Sequence, residues 1–162
     1  YLTKLHECFY NSDNTKILSS YILKRIDAEA LAHIFMCDGY LEHNLNRKRE
    51  SIQTYGNFCL ECFSKEELEE FIKMLKLNFN IDAILHNVEW GKGYRVRVTA
   101  INLQKMIDLI YPYMLESFKY KTILFYKTDK YIDKDLINAE HFIKYYTSIN
   151  EVEDIIRANR NI

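Results

Sequence analysis

The stretch "EALAHIFMCDGY", residues 29–40, is apolar until it reaches Asp38, and Gly39 follows at once. A lone carboxylate at the end of a hydrophobic helix has two readings. It is a solvated last turn before a glycine stop, or it is a carboxylate delivered to a shared metal site, since hard cations such as Mg2+ take carboxylate and carbonyl oxygens. Other groups with chemical potential lie downstream. Arg95 and Arg97 alternate with Tyr94, Val96 and Val98, which puts both guanidiniums on one face of a strand. There they can bond guanine edges or hold phosphates, or they are a solvated charged strand. Arg47, Lys48 and Arg49 are consecutive, and Lys92 sits between two glycines. Both groups suit phosphate contact. Cys59 and Cys62 have CxxC spacing, but no matching Cys or His pair follows, which argues against a zinc site. His33, mid-helix, reads as a packing or interface residue.

The elements that must position these groups follow from periodicity. Residues 1–26 read as a lead-in with little regular structure, broken by "NSDN" at 11–14. Asp27 can cap a helix that runs to about Asp38, with Gly39 as a left-handed stop. Residues 41–56 read as a strand start, a basic loop and the approach to a second strand. In "NFCLECF", 57–63, Phe58, Leu60 and Cys62 alternate onto one face. Ser64 and Glu67 form a capping box ahead of an apolar stripe of Leu68, Phe71, Ile72, Leu75 and Leu77. "IDAILHNVEW", "GKG" and "YRVRV" read as a hairpin, with Asp82, Ile84, His86 and Val88 on the face that carries the arginines. A further amphipathic helix over 102–114 stops near Pro112. Beyond residue 121 the pattern loosens into a loop and short helices, the last headed by a Ser148–Glu151 capping box.

Composition bounds the rest. At 162 residues and 48% hydrophobic, one domain with a real core is expected. Lys and Arg number 22 against 23 Asp and Glu, a net charge of −1. Nucleic-acid-binding domains are usually basic overall, so such contact would fall to local patches. No run reaches the roughly 18 apolar residues of a membrane span, no signal peptide is evident, and the four free-standing cysteines suit a reducing compartment. The chain begins with Tyr1 and reads as a processed product or a fragment. Abundant Ile, Lys, Asn and Tyr suggest AT-rich coding. That points to an organellar matrix (mitochondrion or plastid), or a phage or prokaryotic cytoplasm, and not to secretion.

The order helix, strand, strand, helix, strand, strand, helix, with "LAHIFMCDG" on its first helix, resembles the LAGLIDADG homing endonuclease family over residues 17–121. The likeness is to the branch whose motif reads roughly LAYWFMDDG, matched here by Leu31, Ala32, Phe35, Met36, Asp38 and Gly39. "FSKEELEEFIKMLKLNFNIDAILH" resembles the family's second helix and third strand, and "LIYPYMLESFKYK" its closing segment. The resemblance implies an α+β fold of αββαββα order with a saddle-shaped antiparallel sheet. It divides the chain into a lead-in (1–26), a LAGLIDADG domain (27–121) and a C-terminal extension expected to be helical (122–162). It also implies that two motif helices pack side by side, here through Ala28, Ala32 and Phe35. Asp38 and the Gly39 carbonyl would then hold Mg2+ or another divalent cation, and Lys121 would assist the water or screen transition-state charge. Arg47, Lys48, Arg49, His86, Lys92, Arg95 and Arg97 would contact nucleic acid.

The resemblance thus implies a metal-dependent DNA endonuclease of the homing type, cutting a long target across the minor groove as a homodimer or with a second half. The alternative is a cleavage-deficient derivative that binds RNA, as an intron maturase or an organellar ribonucleoprotein component. One motif supplies one aspartate. The neutral charge, together with Cys59, Glu61 and Asp82 expected on the reading face, weighs toward the alternative, and Asp38 with Lys121 toward the enzyme. A third reading keeps the fold as a protein–protein module alone.

Overall fold

Asp27 starts the central helix as its residue type requires. Its Oδ1 accepts the Ala30 amide at 2.9 Å, answering one of the donors that a helix start leaves unpaired. In the computed structural model, which describes residues 2–88 and 93–160, this helix spans Ala28–Asp38 and is the third in the chain, α3. Before it lie α1 (Leu2–Phe9) and the single turn α2 (Ser20–Leu23). After it come β1 (Gly39–Asn46), β2 (Ser51–Phe58), α4 (Lys65–Phe79), β3 (Ala83–Asn87), β4 (Tyr94–Thr99) and α5 (Ala100–Ile110). From α3 to α5 the order is αββαββα, an α+β fold. Short 3₁₀ segments at Tyr111–Tyr113 and Glu116–Thr122 lead to β5 (Leu124–Tyr126), α6 (Ala139–Phe142), β6 (Ile143–Tyr145) and α7 (Ile149–Arg160). No helix among the described residues is long and apolar enough to cross a membrane.

The first four strands form one antiparallel sheet in the order β1-β2-β4-β3. Its register sets Tyr40 opposite Asn57, Asn57 opposite Arg97, and Ile84 opposite Arg97. Side chains alternate across a strand, so this register sorts them by face. Phe58, Val96 and Val98 turn inward and are fully buried. Tyr40, Glu42, Tyr55, Asn57, Arg95 and Arg97 share the opposite face with Ile84 and His86. The inner face is closed by α3, α4 and α5. Phe58 of β2 stands between Phe35 of α3 and Phe71 of α4, each ring pair 5.5 Å apart and edge to face. That is a favoured arrangement for aromatic quadrupoles.

Several expectations are corrected. The lead-in is ordered: α1 and α2 flank a turn in which Asn11 Oδ1 accepts the amides of Asp13 and Thr15 at 3.0 and 2.9 Å. Strands β1 and β2 are each eight residues long, and β2 ends at Phe58 instead of extending to Phe63. The alternation of Phe58, Leu60 and Cys62 comes from a tight turn, closed by Leu60 N–H to Phe58 O at 3.1 Å and Phe63 N–H to Leu60 O at 3.0 Å. Leu77 is 84% exposed; Met74 takes the core place expected for it. The helix before Pro112 starts earlier than expected, at Ala100, and gives way at Tyr111 to a 3₁₀ turn that holds the proline. The C-terminal extension includes a parallel pair, β5 with β6. Its Leu124, Phe142 and Ile143 enter the main core, while Phe125, Tyr146 and Val152 form a second cluster with Leu45 and Ile52. The Ser148 cap forms, with Ser148 Oγ accepting the Glu151 amide at 3.4 Å, but the Glu151 carboxylate turns to Thr147.

The capping box of α4 does more than start a helix. Ser64 Oγ accepts the Glu67 amide at 3.3 Å, and Glu67 Oε2 accepts the Ser64 amide at 2.8 Å. Glu67 Oε1 also accepts the Leu18 amide at 2.9 Å, anchoring the lead-in. Burial on its own would raise the Glu67 carboxyl, yet these donors together hold it below its ordinary 4.5. A carboxyl lowered by folding stabilises the protein above its ordinary pKa, and that contribution disappears as pH falls through the lowered value. Glu67→Gln should therefore cost about 1 kcal/mol near neutral pH. The deficit should shrink once the pH is well below the ordinary carboxylate range. Urea unfolding of both proteins at neutral and acidic pH measures this, and an equal deficit at both would refute it.

Candidate active site and nucleic-acid face

Asp38 is the last residue of α3 and is exposed, and Gly39 is the first of β1. Gly39 is not the left-handed stop expected from its sequence position. Its backbone is extended (φ −97°, ψ 151°), and its N–H bonds the Phe35 carbonyl. The glycine is required by space: a Cβ here would lie 2.2 Å from Phe35 Cδ2 and 2.5 Å from Phe35 O. The helix therefore becomes a strand with no intervening loop. The Asp38 carbonyl accepts the Cys59 amide at 2.7 Å, which ties the junction to the end of β2.

Lys121 comes from the far side of the chain to the same junction. Its Nζ donates to Met36 O at 2.7 Å and to Gly39 O at 3.0 Å. An ammonium there answers carbonyls that the helix end leaves open and complements the helix dipole. The family resemblance assigns the Gly39 carbonyl to a metal ion; in the fold it accepts a bond from Lys121. Among the described residues no three His, Cys, Asp or Glu side chains cluster to hold a metal. One exposed carboxylate and a carbonyl already engaged by an ammonium do not satisfy a hard divalent cation. Within this chain alone the donor set does not fit such an ion.

Beside the junction lies Cys59, in the turn after β2 and not on the strand face expected for it. Burial pushes its thiol up, Arg95 and Lys121 pull it down, and Glu61 and Asp38 oppose them, with a net rise. A thiol held protonated in this way is a poor nucleophile.

On the outer sheet face, Arg95 and Arg97 point where the strand alternation places them, and the chain already engages both. Arg95 Nε bonds the Glu61 carboxylate, and Arg95 Nη1 donates to Tyr40 Oη at 2.9 Å. Arg97 Nε donates to Asn57 Oδ1 at 2.9 Å and Arg97 Nη2 to Glu42 Oε2 at 2.7 Å. The Arg97 guanidinium also lies over the Tyr55 ring, 4.7 Å from its centroid. His86 stands opposite Arg95 in register. Arg47, Lys48 and Arg49 occupy the β1–β2 turn and are exposed, and Arg47 bonds Glu153 of α7 at 2.5 Å. Lys92 lies outside the described residues; Gly93 beside it takes φ +101°, in the region that favours glycine. Tyr40, Glu42, Tyr55 and Asn57 belong to this face without having been singled out by sequence. A signal for the first strand exists: Leu41, His43 and Leu45 alternate with Glu42, Asn44 and Asn46, a period of two.

The seam expected at Ala28, Ala32 and Phe35 is also revised. Ala32 and Phe35 are fully buried in this chain's own core, and Ala28 is half-buried. The exposed positions of α3 are Glu29, His33, Cys37 and Asp38, with Ala30 and Ile34 half-buried against the core beside them.

A family model described as the LAGLIDADG DNA endonuclease family matches residues 1–106. Among solved structures, the homing endonuclease I-WcaI bound to its DNA recognition sequence superposes with a TM-score of 0.62. Identity there is 23%, and the match covers 73% of this chain and 50% of that one. This chain thus spans half of that protein's length, and likeness at this identity establishes the fold.

The position of Lys121 carries an immediate expectation. Lys121→Met leaves the Met36 and Gly39 carbonyls without their charged donor and should lower stability by about 2 kcal/mol. Urea unfolding near neutral pH reads this directly, and an unchanged midpoint would show that the ammonium does not secure the junction.

Proposed function

The chain belongs to the LAGLIDADG DNA endonuclease family, and we propose that it forms one half of a site-specific endonuclease that hydrolyses phosphodiester bonds in a long DNA target. The observation that carries this reading is Asp38. It is an exposed carboxylate on the last residue of α3, directly before the Gly39 junction, on a helix that also exposes His33 and Cys37. A second copy of this chain, or another half-domain, would bring a second carboxylate against the first. Two such carboxylates fit a divalent cation such as Mg2+, which when bound supplies an activated water and charge stabilisation for the leaving oxygen.

The chain's own residues do the rest. Asp38 presents its carboxylate to the shared site. Lys121 holds the helix end that aims it. The outer sheet face lies against the duplex, Arg47, Lys48 and Arg49 meet phosphates at its rim, and Lys92, outside the described residues, is assigned to phosphate by its sequence position alone. His86, Arg95 and Arg97 belong to the contact surface, with both arginines held in place by their glutamates.

One observation favours a second reading, in which cleavage has been lost and the surface holds RNA. The two face arginines are neutralised within the chain and the net charge is −1. That leaves little to neutralise phosphate, the main source of sequence-independent affinity.

Purified protein with Mg2+, presented with a library of long duplexes, should cut a specific target. Asp38→Asn should reduce cleavage by about 10²–10³-fold or more while leaving binding in place. Cleavage that persists in Asp38→Asn would remove Asp38 from the reaction. A wild type that cuts no duplex, yet binds a structured RNA as tightly as Asp38→Asn does, would establish the second reading.

A further inference from the structure

The β1–β2–β4 row holds an arrangement that reverses the usual expectation for a basic reading face. The Arg97 side chain is 12% exposed and that of its partner Glu42 is 32% exposed. Two edges of the guanidinium are spent, on Asn57 at 2.9 Å and Glu42 at 2.7 Å, and its flat face lies over Tyr55. Asn57 itself is fully buried, so this assembly is a floor and not a flexible arm. Turning Arg97 outward would break two charge-assisted bonds at once. The Glu42 carboxylate is arranged differently. Its Oε2 accepts both Arg97 and, at 3.4 Å, Asn57 Nδ2, while Oε1 takes no hydrogen bond from any described residue.

We propose that Glu42 is the base-reading side chain of this row and Arg97 its positioning residue. The open Glu42 oxygen would accept a hydrogen bond from an exocyclic amino group in the major groove of duplex DNA, cytosine N4 above all. This assignment rests on the proposed DNA reading and specifies the chemistry that the face selects. The major groove presents amino donors at cytosine N4 and adenine N6, and glutamate is a natural acceptor for the former. A lone carboxylate against a duplex would be repelled by phosphate. Here Arg97 cancels the charge while leaving the acceptor in place, so the group can select a base without a net penalty at the backbone. The Arg95–Glu61 pair shows no such sorting, with 29% and 23% exposure, and it is not assigned a direction.

Selection of bound duplexes from a randomised pool by the full chain, scored by binding and not by cleavage, tests this. The wild type should enrich sites with cytosine at one position. Glu42→Gln, of the same shape, should shift that position from cytosine toward adenine by about tenfold, because an amide pairs with adenine. Glu42→Asp, which keeps the charge but withdraws the carboxylate by one methylene, should lose the preference there and keep it elsewhere. Arg97→Ala should blur the same position. An unchanged profile in both Glu42 variants, or loss of a guanine preference in Arg97→Ala, would overturn the assignment while leaving DNA binding intact. A wild type that enriches nothing would overturn the DNA reading and this assignment together.

Discussion

The passage from α3 into β1 takes no connecting residue, and this is possible only because position 39 has no side chain. The Phe35 ring and carbonyl occupy the space that a Cβ would need. Phe35 is in turn the first of the three rings that join α3 to the sheet and to α4. Core packing and site geometry are thus one constraint. The ring that seals the interior also sets the angle at which the helix hands over to the strand, and so the direction of Asp38. The Lys121 ammonium and the Cys59 amide hold the junction from two further sides.

The outer sheet face divides its work by charge. Its centre is a set of matched pairs, Arg95 with Glu61 and Arg97 with Glu42, whose net charge is near zero. Lys48 and Arg49, which make no ion pair among the described residues, sit in the turn between β1 and β2, beside Arg47 and its bond to Glu153. Such a surface would gain affinity at its rim and discrimination at its centre, since phosphate contacts position a protein and base contacts specify the sequence. A nearly neutral chain can then engage a polyanion selectively, at the cost of weak general attraction.

Much of this fold is legible from local patterns. Asp27, the Ser64–Glu67 box and the pairing of β3 with β4 depend on neighbours close in sequence, and each forms. The family resemblance singles out Gly39 and Lys121, and the fold sets the Lys121 ammonium on the Gly39 carbonyl. What cannot be read depends on distant partners. The Glu42–Arg97 pair exists because the register sets β2 between β1 and β4, with Tyr55 opposite Glu42 and Asn57 opposite Arg97. The end of β2 at Phe58 is hidden as well, because Leu60 and Cys62 continue its alternation. Ala32 and Phe35 sit on a small-residue helix that suits a partner seam, but the chain's own core covers them first. The strands β5 and β6 are too short for periodicity to show, at three residues each.

The Lys121 contact also orders events in time. It joins residues 85 apart in sequence, and Leu124, Phe142 and Ile143 enter the core from farther still. Synthesis releases the N-terminal part first, at roughly 5–20 residues per second. Until Lys121 has been added, the carbonyls of Met36 and Gly39 lack the ammonium that bonds both in the finished fold. The helix end that aims Asp38 is completed by a latch that lies 85 residues further along the chain. A chain still emerging from the ribosome would carry the scaffold of the site well before it carries the site.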